Sequence, residues 1–140
     1  MRRIVIFGVV IAILLLTGIS CTTNDEKEKA AVTIAEKWLA LVDTGKYSES
    51  WLAANEYFRE SVKQDQWEKI IRSVRIPLGK VISRELKTKI YKEESPGEPQ
   101  GRYIIIQYAT SFQNKNTTTK EIVDLFDNNG RWIVSGYHLK

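Results

Sequence analysis

One cysteine, one histidine, one methionine and three prolines occur among the 140 residues. A lone cysteine cannot close an internal disulfide. With one histidine besides, the chain offers no Cys/His metal spacing, and it carries no phosphate-binding glycine loop and no nucleophile elbow. No cofactor and no metal are therefore expected. Charge of one sign is not in excess: 21 basic side chains face 17 acidic ones. No basic stripe argues for nucleic acid as a partner. Apolar residues make up 43% and charged residues 27%, a composition that suits one globular domain.

The one long apolar run lies at the start. Arg2 and Arg3 form a basic head, Ile4 to Leu16 are apolar apart from Gly8, and small or polar residues follow at Thr17, Gly18 and Ser20. This is the layout of a secretory signal. The run is short for a bilayer span, which takes roughly 20 residues; extended to Ile19 it leaves an uncleaved anchor as the other reading. "LLLTGISC" ends at Cys21, and here the chain resembles bacterial lipoproteins. Ile19 and Ser20 fit the two positions before the modified cysteine, while Gly18 stands where leucine is preferred. The resemblance implies lipidation of Cys21, a lipid membrane as partner, and an envelope location, in the outer membrane if there is one. One acyl chain binds marginally, at about 0.8 kcal/mol per buried CH₂, and more than one holds firmly. Without residues 1–20 the 21 basic groups lose Arg2 and Arg3, which against 17 acids leaves +2.

Residues 21–29 read as a short tether, and 30–140 as a single α+β domain. Thr23-x-x-Glu26 has the form of a capping box. Ala31, Ile34, Ala35, Trp38, Leu41 and Val42 share a helical face, in a helix from about Asn24 to Thr44 ended by Gly45. "KYSESWLAANEYF" predicts a short second helix and then a turn. Ser61-x-x-Gln64 predicts the start of a third helix, with Trp67, Ile70, Ile71 and Val74 as its apolar stripe and Pro77 as its stop. The period then changes to two. Strands are expected over Val81–Glu93, Arg102–Gln113, Thr118–Asp127 and Arg131–Leu139, with "SPGEPQG" and "NKNT" as connections.

Asn129-Gly130 is a strong hairpin signal. If these two form the loop, Asn128 opposes Arg131, Phe126 opposes Ile133 and Ile122 opposes Tyr137. One face then carries Val123, Leu125, Trp132 and Val134, and the other Ile122, Phe126, Ile133, Tyr137 and Leu139. Both faces are apolar, whereas a sheet with one wet face should alternate. An envelope protein, a second copy or the curl of the sheet is expected to cover part of the second face.

Three helices before a curled four-stranded antiparallel sheet resemble the NTF2-like or cystatin-like cone. More narrowly, "AEKWLALVDTGKYSESW", "RIPLGKVISREL", "YIIIQYATSF" and "GRWIVSGYHL" make residues 30–139 similar to the domain of unknown function 4019 family. That resemblance implies a fold and an envelope setting, and no activity.

Five residues are candidates for a ligand or pocket. Arg75 and Arg84 flank the Pro77–Gly79 turn; they are placed to grip a carboxylate or phosphate, or else to cap helix carbonyls or pair with Glu85 or another acid. His138 stands opposite Glu121 in the register above, an acid–base couple or an exposed cross-strand pair. Asp124 stands opposite Ser135, either a buried acid in the mouth of a cone or the point where the convex face meets water. The tryptophans at 38, 51, 67 and 132 fall on core faces. No residue is expected to be catalytic. The reading is a lipid-anchored binding module without enzymatic activity, and the alternative is an NTF2-like enzyme with an acid or base in its cone.

Overall fold

α1 (Asn24–Asp43) buries Ala31, Ala35, Trp38, Leu39 and Val42. This stripe is turned from the predicted one: Leu39 is fully buried, whereas Ile34 and Leu41 are only half-buried at its side. The computed structural model describes residues 24–140; Cys21 and Thr23, and with them the lipidation site and the first capping box, lie outside these. Among the described residues no helix is long and apolar enough to cross a membrane.

Four helices precede the sheet, where the sequence predicts three. α2 (Tyr47–Leu52) and α3 (Glu56–Ser61) divide the segment read as one helix and a turn. Asn55 caps α3, its Oδ1 accepting from the Phe58 N–H at 2.8 Å. A helix of six residues is too short to show a period, so that cap was its one signal. The predicted capping box at Ser61 does not form. Ser61 ends α3 and its hydroxyl donates to the Tyr57 carbonyl. α4 (Gln64–Leu78) starts after Lys63, whose N–H donates to Gln66 Oε1 at 3.2 Å. Pro77 lies within the last turn of α4 instead of ending it at Ile76. The buried residues of α4 are Trp67, Ile71 and Arg75, spaced by four, while Ile70 and Val74 of the predicted stripe are exposed.

β1 (Val81–Lys92), β2 (Tyr103–Phe112), β3 (Thr119–Asn128) and β4 (Arg131–Leu139) form an antiparallel meander in chain order. Each expected strand is present to within one residue at either end. The helices lie on one face, α1 across β2, β3 and β4, and α2 joins α1 to α4. That face carries Ile104, Ile106 and Tyr108 of β2 with Val123, Leu125 and Val134. All four indole N–H groups are satisfied: Trp38 by Ser50 O, Trp67 by Ser50 Oγ, Trp51 by Val62 O and Trp132 by Lys27 O. This fits packing roles for the tryptophans.

Asn129 (φ 53°) and Gly130 (φ 86°) form the tight turn, and Asn128 opposes Arg131 as expected. The predicted register holds through Leu125–Val134 and then fails. Asp124 pairs with Gly136, Ile122 with His138 and Glu121 with Leu139. Ser135 is the extra residue of a β-bulge, which moves every later side chain of β4 to the opposite face. Tyr137 therefore joins the helix-covered face, where its ring meets Trp38 at 5.3 Å and Trp67 at 6.5 Å between centroids. Two more bulges interrupt β1, between Val81 and Ser83 and between Leu86 and Thr88. Bulges sharpen local twist, and together they curl the sheet.

The chain itself covers part of the second face. The β1–β2 loop folds back so that the Tyr103 hydroxyl donates to Pro99 O and the Tyr57 hydroxyl to Gly97 O. Tyr103 meets Phe126 beneath it at 5.2 Å between centroids, the rings tilted at 51°.

The structure reverses the ranking of two α1 residues. Leu39→Ala should cost about 2–5 kcal/mol as a buried leucine truncation. Ile34→Ala, at a half-buried position, should cost less than half as much. Urea denaturation of both variants checks this, since the sequence stripe alone gives the opposite order.

Candidate functional site

Three clusters collect the polar groups of interest. The first is centred on buried Glu121 and Arg75 and reaches the surface at Asp43. Asp43 ends α1, Arg75 lies in the last turn of α4, Arg84 on β1 and Glu121 on β3. Arg75 Nη2 donates to Asp43 Oδ1 at 2.6 Å, and Arg84 donates to both Asp43 oxygens, at 2.8 and 3.0 Å. Arg84 also donates from Nε and Nη2 to the two Glu121 oxygens at 2.6 and 3.2 Å. Thr110 Oγ1 and the Tyr137 hydroxyl complete the carboxylate of Glu121, each at 2.7 Å. Glu121 is wholly buried and accepts two hydrogen bonds at each oxygen, which fills its acceptor sites. Two guanidinium groups face two carboxylates, so the cluster has no charge left for an outside ion.

The electrostatics follow from this geometry. Burial works to raise the pKa of Asp43, but the hydrogen bonds from Arg84 and Arg75 outweigh it and hold the carboxyl below its ordinary value. Burial opposes the charge of both arginines, and their acidic partners reverse the effect, so each is held more firmly protonated than usual. Burial first, then the charge of Glu121, pushes the Tyr137 phenol up. Of the two sequence readings of Arg75 and Arg84, pairing with internal acids is the observed one, though Glu85 is not the partner: it meets Lys87.

The second cluster is on the opposite face of the sheet. His138 does not meet Glu121, and Asp124 does not meet Ser135; both expectations assumed a hairpin without the bulge. With Ser135 extruded, His138 turns outward and its Nε2 lies 3.1 Å from Asp124 Oδ2. Gly136 permits this approach, since a Cβ there would stand 2.8 Å from the same oxygen. The hydrogen bond to Asp124 raises the His138 pKa, burial opposes it, and the charge of Asp124 adds to the rise. Glu98, from the β1–β2 loop, feels this pair. Burial lifts its pKa, and the charge of Asp124 contributes. The histidine side chain is 56% exposed, so the pair is a surface couple.

The third cluster is a groove of about 800 Å³ between α1, the link from α2 to α3, and the start of β4. Ile34, Leu41, Leu52, Trp132 and Val134 make its apolar lining. Leu52 is 56% exposed there. Lys37, Arg59 and Arg131 stand among these residues. Ala54 bridges to Val134, and the Asn55 N–H donates to the Val134 carbonyl at 2.8 Å, which closes one wall.

A family model described as "Protein of unknown function (DUF4019)" matches residues 34–137. The chain belongs to that family. No curated protein matches it. Membership in DUF4019 therefore adds kinship without an activity, and any role must be argued from the three clusters.

The structure thus brings Arg75, Arg84 and Glu121 together in one site and Asp124 and His138 in another. Sequence reasoning missed Asp43, Tyr137 and the groove. Asp43 did leave a signal: the last turn of α1 holds an acid and no base, against the preference set by the helix dipole, and such an acid calls for a cationic partner. Tyr137 left none, because a bulge cannot be read from alternation. The groove was hidden by counting Ile34 and Leu41 as core.

Two outcomes are expected. Glu121→Gln leaves buried Arg75 and partly buried Arg84 with one carboxylate and should cost about 3–5 kcal/mol in thermal or urea unfolding. The sole histidine gives one imidazole signal in proton NMR, and its midpoint should lie above about 6.5 and fall in Asp124→Asn. Because the folded pKa is raised, the pair contributes to stability below about pH 6.5 and loses that contribution as pH rises through the raised value.

Proposed function

We propose that this protein is a lipid-anchored envelope lipoprotein whose domain, an NTF2-like or cystatin-like cone, is a non-enzymatic binding module with the groove as its binding surface. The groove carries this reading. Its volume is that of a small-molecule site, and its apolar floor stays open while the polar interior is closed. A catalytic acid or base needs a free position facing a reactant. Glu121 has its acceptor sites filled, and the Asp124–His138 pair stands on the outer face. The enzyme reading has no such support.

The tether adds context. α1 starts three residues beyond Cys21, so an acyl group on that sulfur would hold the domain close to a membrane surface. An envelope protein or a second copy remains an alternative occupant of the apolar surface left by the curled sheet.

The full chain in its membrane tests both halves. Metabolic labelling with an alkynyl fatty acid should mark the parent chain and not Cys21→Ser. A photoreactive diazirine alcohol should label peptides of α1 and the β3–β4 hairpin, and Leu52→Glu should remove that labelling without lowering the melting temperature. No mark at Cys21 overturns the tether. Labelling spread evenly over the surface overturns the groove.

A further inference from the structure

We propose that the groove holds a single-chain anionic amphiphile of the fatty-acid type, with its chain along Ile34, Leu41, Leu52 and Trp132 and its carboxylate among Lys37, Arg59 and Arg131. The proposal rests on the binding reading above and names the ligand class.

The charges come first. The three cations arrive from three elements, α1, α3 and the β3–β4 hairpin, and no lining residue is acidic. None of the three makes an ion pair among the described residues. This contrasts with Arg75 and Arg84, whose charges are matched by Asp43 and Glu121. Arg59 lies over the Trp51 ring at 5.9 Å; its Nε, like that of Arg75, is buried without a hydrogen-bond partner, but Arg59 has no acidic partner among the described residues while Arg75 has Asp43. An anion seated in the groove would supply the counter-charge that Arg59 lacks.

The lining then selects among anions. Its side chains belong to Ala, Ile, Leu, Val, Trp, Lys and Arg, with one Gly, so none of them accepts a hydrogen bond. The N–H groups of Trp38 and Trp132 are already committed to backbone carbonyls. A peptide lying here would leave its amide N–H groups without side-chain acceptors. Nor can it extend the sheet at Val134, whose carbonyl is held by Asn55. A hydrocarbon chain has no donor to satisfy, and each CH₂ it buries contributes about 0.8 kcal/mol. From Ala30 to Leu41 the α1 wall is about 17 Å long at 1.5 Å per residue. That length accepts an extended acyl chain. One apolar wall with three unpaired cations thus fits a carboxylate on a single tail.

The test uses the full chain in membranes and two photoreactive probes: a diazirine dodecanoic acid and the matching alcohol. In the parent chain the acid should label groove peptides at least about tenfold more than the alcohol, the scale of one charge-assisted contact. With Lys37→Gln, Arg59→Gln and Arg131→Gln combined, labelling by the acid should fall to that of the alcohol, which should not change. If that variant does not fold, Arg131→Gln alone, at an exposed hairpin position, carries the comparison. Equal labelling by acid and alcohol in the parent chain, or an unaffected variant, overturns the anionic ligand and leaves the binding groove standing. Displacement of the acid probe by an acidic peptide or by anionic phospholipid vesicles, but not by unlabelled dodecanoate, also overturns it. Labelling by neither probe removes the binding reading itself.

Discussion

The four charges of Asp43, Arg75, Arg84 and Glu121 hold the molecule's layers in one arrangement. They tie the end of α1, the end of α4, β1 and β3 to a common point, and Thr110 and Tyr137 bring in β2 and β4. Moving charges out of water costs several kcal/mol per ion, and only close, multiple hydrogen bonds offset this. Here every carboxylate oxygen has a donor, so the network tolerates no shift of a helix against the sheet. Its worth lies as much in fixing that arrangement as in stability. The carboxylate of Glu121, with every acceptor position filled from within, is closed to an outside donor.

A single extra residue decides what stands on each side of β4. Val134 and Tyr137 are an odd number of positions apart, yet both face the helices, because Ser135 is extruded between their partners Leu125 and Val123. The same step sends His138 outward to Asp124. Without the bulge, Glu121 would lose the Tyr137 hydroxyl from its shell and the histidine would face the interior. The bulge thus separates the network around Glu121 from a titrating surface pair, and Gly136 leaves the space in which that pair meets.

The groove arises from how α1 is seated. Leu39 and Val42 point into the sheet, so Ile34 and Leu41 are left on the flank, where Leu52 and Trp132 face them across an open channel. The lack of acids there is the more telling feature. Lys89, by contrast, is matched by Glu28. A cationic margin of Lys37, Arg59 and Arg131 borders the apolar floor.

Much of the architecture was legible in the residues alone. Period three to four before Gly79 and period two after it set the order of helices and strands, and Asn129-Gly130 placed the last hairpin, because these are local preferences of backbone and side chain. Arg75, Arg84, Glu121, Asp124 and His138 stood out in the sequence as candidate ligand residues, and none of them lines the groove. Their partners were not legible. Asp43 lies 41 residues from Arg84 along the chain, and Glu121 lies 37 from it. Which apolar residues of α1 became core and which became groove depended on the rotation of a helix against a curled sheet. The residues by themselves determined the long helices, the four strands and the inventory of charges; the tertiary structure alone decided which charges cancel and which stay unpaired, since that depends on distances set by packing and by one bulge.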